Sequence, residues 1–180
     1  MLACAAPLLA FAVLAEDVVE GRPLGLDRTL SSFVRDNAAG FPGRLGDDDL
    51  QLAAFVGVSV AVAVLVALLA KRKLRVALFG VTALGGAFLL ETALKDAFHR
   101  PGLGAAADED SFPSGGAMGS MALLAVVVLV VGENRRRLVL GVFGGCLLLA
   151  YGASIVYLRW HYPSDVLAGW SLSLSTWVIA

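Results

Sequence analysis

The chain contains two histidines, His99 and His161, and both lie in short polar stretches between long apolar runs. Asp165 follows His161 by four residues, so in a helical turn the imidazole and the carboxylate share a face. A carboxylate beside an imidazole fixes its tautomer and stabilises its protonated or covalently modified form. An imidazole held in this way is a competent nucleophile toward phosphorus, passing through a phosphohistidine. The same pair has a structural reading, an interfacial histidine next to a first-turn acid that suits a helix N-terminus. A second stretch, Ser111-Phe112-Pro113-Ser114-Gly115-Gly116, opens directly onto an apolar run. It puts a hydroxyl and free backbone N–H groups at a helix start, which makes either an anion site or an ordinary turn with Ser114 as N-cap. A third stretch carries Lys95, Asp96, His99 and Arg100-Pro101, supplying fixed positive charge and a planar guanidinium fork suited to phosphate. Ser154 and Arg159 precede His161, so three stretches distant in sequence offer cations, hydroxyls and imidazoles.

The elements that must position these groups belong in lipid. The chain is 58% hydrophobic and 16% charged with mean hydropathy +0.80, against about 45–50% apolar and about 25% charged in a soluble domain. The apolar excess is gathered into runs long enough to cross a hydrocarbon core. A net charge of −1 and the lack of an extended basic stripe argue against disorder and against a nucleic-acid partner. Cys4 and Cys146 both sit inside apolar runs, which gives neither a disulfide framework nor a zinc site. The acidic triplet Asp108-Glu109-Asp110 is either a divalent-cation site or a solvated loop, and the absence of a companion ligand pattern favours the loop. No metal and no cofactor are expected.

Spans are expected over Leu50–Ala70, Leu74–Leu90, Ala117–Gly132, Leu138–Leu158 and from Val166 to Ala180. Met1–Ala15 lacks the basic n-region and cleavage site of a signal peptide and reads as a first span. The first and last spans read as clipped. The expected fold is an all-α polytopic membrane bundle of about six transmembrane helices, a single integral-membrane domain over 1–180. Residues 71–75 and 133–137 hold seven of the fourteen basic residues, which sets those turns on the cytoplasmic side. The segment 16–48, the stretch 91–116 and the turn 159–165 then share the outer face. Leu26–Val34 is weakly amphipathic and reads as an interfacial helix. Trp160, Tyr162, Trp170 and Trp177 read as an interfacial aromatic belt, with lining of a lipid entry as the alternative for Trp160 and Tyr162, and Gly85-Gly86 and Gly144-Gly145 read as sites of close helix packing.

With these motifs in hand, the chain resembles the type 2 phosphatidic acid phosphatase family, which includes bacterial phosphatidylglycerophosphate and undecaprenyl-pyrophosphate phosphatases. That family carries Lys-x6-Arg-Pro, then Pro-Ser-Gly-His, then Ser-Arg-x5-His-x3-Asp. This chain has Lys95 to Arg100-Pro101, then Pro113-Ser114-Gly115-Gly116, then Ser154-Ile155 to His161 and Asp165. The run His161-Tyr-Pro-Ser-Asp165-Val-Leu-Ala-Gly169 is especially close to the family's wording, and the likeness in topology extends over residues 24–180.

The resemblance implies a metal-independent, two-step phosphoryl transfer. His161 would be the nucleophile and Asp165 its orienter, while Lys95, Ser114 and the Gly115 amide would bind phosphate. Arg100 matches only approximately, because the expected Arg-Pro falls on Gly102-Leu103. Two family positions are degenerate. Gly116 stands where the family has its general-acid histidine, and Ile155 where it has a phosphate-clamping arginine. General-acid catalysis contributes about 10²–10⁴-fold, and one transition-state donor about 10²–10³-fold, so both departures bear on rate. Arg159, one turn after Ile155, either reaches the same phosphate or snorkels at the interface. His99 is either a substitute acid or a solvated loop residue.

The expected function is a lipid phosphate or pyrophosphate phosphatase with weak or altered activity, acting through phosphohistidine at the outer leaflet of a bacterial inner membrane. The alternative is a non-catalytic relative that binds, senses or transports a phospholipid or polyprenyl phosphate. The membrane spans set aside the related vanadate-binding haloperoxidases with soluble substrates. The expected partners are a lipid phosphate and the membrane lipids.

Overall fold

The computed structural model of the chain describes residues 2–21, 25–37, 47–103, 108–131 and 133–177. Among them are seven helices: α1 (Leu2–Val19), α2 (Gly25–Asn37), α3 (Asp47–Ala70), α4 (Leu74–Phe98), α5 (Gly115–Val130), α6 (Asn134–Tyr157) and α7 (Pro163–Trp177). Six correspond to the expected spans, and α2 to the expected interfacial helix. Gly132, residues 178–180, parts of 16–48 and the side chains of Cys4 and Trp177 lie outside what is described. The largest departure in length is α4, which continues beyond Leu90 to Phe98. Of its three charged residues there, Glu91 and Lys95 satisfy each other one turn apart, with Lys95 Nζ 2.9 Å from Glu91 Oε1, so polarity does not end the helix.

Helix ends near the site are closed by backbone alone. At the end of α6, Trp160 N donates to Ile155 O at 3.0 Å and Arg159 N to Val156 O at 3.1 Å. This is the paired pattern of a Schellman cap, with Arg159 in the left-handed position at φ 60. The α3 end repeats it with Lys73 N on Leu68 O, Arg72 N on Leu69 O and Arg72 at φ 54. At the end of α4, His99 adopts φ 46 and donates its N–H to Lys95 O at 3.0 Å. Left-handed positions usually hold glycine. Here two of them hold a histidine and an arginine on the polar face.

The centre of the bundle is α5, which packs on α3, α4, α6 and α7. Its buried face is Ala117, Met118, Ala122, Ala125 and Val126, mostly small residues that let neighbouring backbones come close, as membrane helices require. The glycine contacts fall partly where expected. Gly144 admits Leu124 of α5, whose Cδ1 an added Cβ would meet, whereas Gly85, Gly86 and Gly145 face open space. Further close approaches are at Gly152, against Trp170, and at Gly169, where an added Cβ would stand 2.6 Å from Ser114 O. Trp160 and Trp170 pack against the cluster of Ala117, Ile155, Val156 and Val166, so they turn into the bundle and not outward as a belt. Phe11, Phe98 and Phe112 form a second cluster, with ring centroids 5.0–6.4 Å apart, that joins α1 and α4 to the turn before α5.

The outer faces of α3, α4 and α6 are apolar and uncovered: Phe55 is 71% exposed, Phe88 67% and Phe143 62%. A water-soluble monomer does not leave contiguous apolar surface of this extent, whereas lipid covers it at no cost. α4 and α6 are 25 and 24 residues long and apolar enough to cross a membrane, a rise of about 37 Å against a hydrocarbon core of about 30 Å.

Candidate active site

The N-terminus of α7 collects the polar groups. Pro163 opens the helix, where a missing N–H costs nothing. Asp165, two residues on, reaches back so that its Oδ2 accepts from Tyr162 N at 2.9 Å, which satisfies a donor the helix leaves free. Asp165 is fully buried. Its Oδ1 accepts from Arg100 Nη1 at 2.6 Å. Arg100 is also held by Ser164 Oγ at 2.7 Å and, through Nη2, by Asp27 Oδ2 at 2.7 Å. Asp27 in turn accepts from Ser164 N at 2.8 Å and from Ser164 Oγ at 2.9 Å. The guanidinium carbon lies 3.9 Å from the centre of the Tyr162 ring. Arg100 is therefore a three-way clasp between α2, the end of α4 and the start of α7.

His161 stands beside this clasp, partly buried. Its Nδ1 is 3.0 Å from Ser111 O and 3.6 Å from Asp165 Oδ2. A carbonyl oxygen can only accept, so Nδ1 carries the hydrogen and donates it, and Nε2 keeps its lone pair. One arginine faces two carboxylates here, so the buried cluster is short of one positive charge.

The turn before α5 is tied to the same place. Ser114 is fully buried, caps α5 by accepting from Ala117 N at 3.4 Å, and donates its own N–H to Asp165 O at 3.0 Å. Ser111 N donates to Arg100 O at 2.7 Å. The three stretches singled out in the sequence thus converge, with His161, Asp165, Arg100 and Ser114 in one hydrogen-bonded group.

The remaining expected residues are placed differently. Lys95 pairs with Glu91, and the Glu91 carboxylate lies against Gly115, where any Cβ would collide with it. A carboxylate therefore already occupies the start of α5. A Cβ on Gly116 would likewise meet the Tyr151 hydroxyl. Ile155 is buried in the α5–α6–α7 core, packed with Ala117, Val156 and Val166. Arg159 is exposed and, with Arg28, His99 and Arg100, lines a cleft of about 590 Å³. His99 reaches Asp110 Oδ2 at 3.2 Å, and Gly102 N donates to Glu109 O at 2.9 Å, so two members of the acidic triplet help to close their own loop.

Asp27, Ser164, Glu91, Tyr151 and the Ser111 carbonyl did not emerge from the sequence. Glu91 had a signal, as a carboxylate inside a span one turn before Lys95. Asp27 had none, since nothing in its neighbourhood separates it from Asp36.

The PAP2 superfamily matches over residues 56–180, and the chain belongs to that superfamily. Its fold is similar to the crystal structure of a protein described as the first transmembrane PAP2 type phosphatidylglycerolphosphate phosphatase from Bacillus subtilis. The TM-score is 0.77 at 20% identity, over 99% of this chain and 94% of that one. At that identity the likeness establishes the fold, an all-helical membrane bundle. No curated protein matches the chain.

Proposed function

We propose that the chain is a membrane lipid-phosphate phosphatase that works through a phosphohistidine on His161. The observation that carries this reading is the pinning of Nδ1 by a carbonyl acceptor beside Asp165, which leaves Nε2 as the free lone pair. Attack by Nε2 on phosphorus makes the ring cationic, and the excess carboxylate charge around Arg100 stabilises that state. Ser114 and the amides at the start of α5 are suited to phosphoryl oxygens. Lys95 joins them once it exchanges Glu91 for substrate, and Arg100 acts mainly by holding Asp165. Arg159 meets the more distant anionic part of the substrate from the cleft. The substrate class is a phosphate or pyrophosphate ester of a membrane lipid. Phosphatidylglycerophosphate is a first candidate on the printed description of the structural neighbour.

The basic turns at 71–75 and 133–137 support a cytoplasmic position for that side and an outward site, in a bacterial inner membrane. Retention of a single integral-membrane domain over 1–180 goes with this reading. One observation favours the alternative of a non-catalytic phospholipid or polyprenyl phosphate binder: the Glu91 carboxylate at Gly115 neutralises Lys95 in the resting state.

The test is phosphate release by the purified protein in detergent, offered phosphatidate, phosphatidylglycerophosphate and undecaprenyl pyrophosphate beside His161→Ala. The expected result is turnover on at least one lipid, absent in His161→Ala, with acid-labile phosphate trapped on the wild-type chain. Binding of these lipids with no release from any of them would leave the binder reading in its place.

A further inference from the structure

An alkoxide is a poor leaving group and needs a proton as its bond to phosphorus breaks. At the start of α5 the side chain that would ordinarily project from position 116 is absent. The space where its Cβ would stand is taken by the hydroxyl of Tyr151, from one turn before Ile155 on α6. Tyr151 also lines a second pocket, of about 290 Å³, with Val58, Ala61, Leu84 and Leu123 and with the glycines of the α5 start. That pocket is nearly all apolar and lies between α3, α4, α5 and α6, so it suits an alkyl chain. A lipid phosphate whose phosphoryl group lies at Ser114 and whose chain enters this pocket carries its ester oxygen past Tyr151.

We infer that Tyr151 is the proton donor to the leaving group, in the position that Gly116 leaves open. The inference rests on the phosphohistidine reading above and adds to it the group that completes the first step. His161 Nε2 forms the bond to phosphorus, the bond from phosphorus to the lipid oxygen breaks, and that oxygen takes the phenolic proton. The Tyr151 phenolate is then reprotonated from solvent, and in the second step water attacks the phosphohistidine, its protons staying on the phosphate oxygens. The N–P bond breaks, its electron pair returns to Nε2, and inorganic phosphate leaves.

A general acid leaves a signature that a packing residue does not, because its removal harms only substrates with poor leaving groups. The experiment measures kcat and KM of wild type and Tyr151→Phe on phosphatidate, on a lipid pyrophosphate and on an aryl phosphate, with the melting temperature of each protein as a control. The expected result is a loss of about 10²-fold in kcat on phosphatidate, little change in its KM, and near-normal turnover of the pyrophosphate and aryl phosphate. Equal losses on all three substrates, or none on phosphatidate, overturn the assignment.

Wild type alone gives a second readout. Across a series of alkyl and aryl phosphates its rate should depend only weakly on leaving-group acidity, and a steep dependence also overturns the role of Tyr151. Failure of the underlying reading looks different: wild type then releases no phosphate from any substrate and traps no phosphohistidine, and both proposals fall together.

Discussion

The clasp around Arg100 makes a prediction for α2. Asp27 lies on α2, outside the spans, yet it is buried and accepts three hydrogen bonds, from Arg100 Nη2, Ser164 N and Ser164 Oγ. Asn in its place keeps the shape and loses the charge. If the amide oxygen faces Arg100, the NH₂ group faces the Ser164 N–H, donor against donor. If it is flipped, the NH₂ group faces the guanidinium. One buried donor is orphaned either way, at about 1–3 kcal/mol, and a charge-assisted bond of about 1.5–3 kcal/mol is lost. The total agrees with the cost of about 3–5 kcal/mol for breaking a buried ion pair from one side. In a chain of this length each kcal/mol moves the midpoint by about 2–4 °C, so Asp27→Asn should melt about 10 °C below wild type. The assay is a thermal melt in detergent followed by circular dichroism, with Asp36→Asn as the control. Asp36 is on the same helix but exposed, and its variant should stay within about 0.5 kcal/mol of wild type. An Asp27→Asn protein that melts with the Asp36→Asn control would show that the clasp does not hold α2 to the bundle, and the charge argument for His161 would lose its basis.

Three further substitutions probe the packing around the site. Gly169→Ala brings a Cβ to 2.6 Å from Ser114 O and 3.1 Å from Ala117 Cβ. Backbone cannot swing aside, so the melt should fall by the equivalent of about 1–3 kcal/mol and phosphate release should fall with it. Ile155→Arg, which restores the family residue in name, buries a guanidinium among Ala117, Val156 and Val166 and should lower the yield of folded protein without raising activity. Gly116→His alone should be destabilised by the Tyr151 hydroxyl, and thermal melts should show much of that loss recovered when Tyr151→Phe is added.

The spans were legible because lipid demands long apolar runs, and the order of α1 and α3 to α7 follows from those runs alone. The convergence of Lys95–Arg100, Ser111–Gly116 and Ser154–Asp165 was legible as well, because each motif lies at a span end and short turns keep the ends together. What each side chain does there was less so. Arg100 reads in sequence as a free cation, and only the fold brings Asp27 to it across 73 residues. Ile155 marks an absent arginine but says nothing of the core it fills. Gly115 and Gly116 are informative through what they admit, the Glu91 carboxylate and the Tyr151 hydroxyl, and a contact between helices leaves no periodic trace in either one. The aromatic residues near span ends misled for a related reason. Trp170 has the amphipathic ring expected at an interface, yet Gly152 opens a slot for it in the bundle.

The clasp also bears on how the chain is made. Synthesis runs from the N-terminus, so Asp27 and Arg100 exist, and can neutralise each other, well before Ser164 and Asp165 are added. Until α7 enters the membrane, the Ser111 carbonyl has no imidazole and Ser114 N has no acceptor on α7. α7 and the turn before it therefore bring His161, Asp165 and the second half of the clasp together in one insertion event. A nascent chain that has not yet reached α7 carries a charge-neutral Asp27–Arg100 pair, and the buried polar group at this end of the bundle is complete only when α7 is in place.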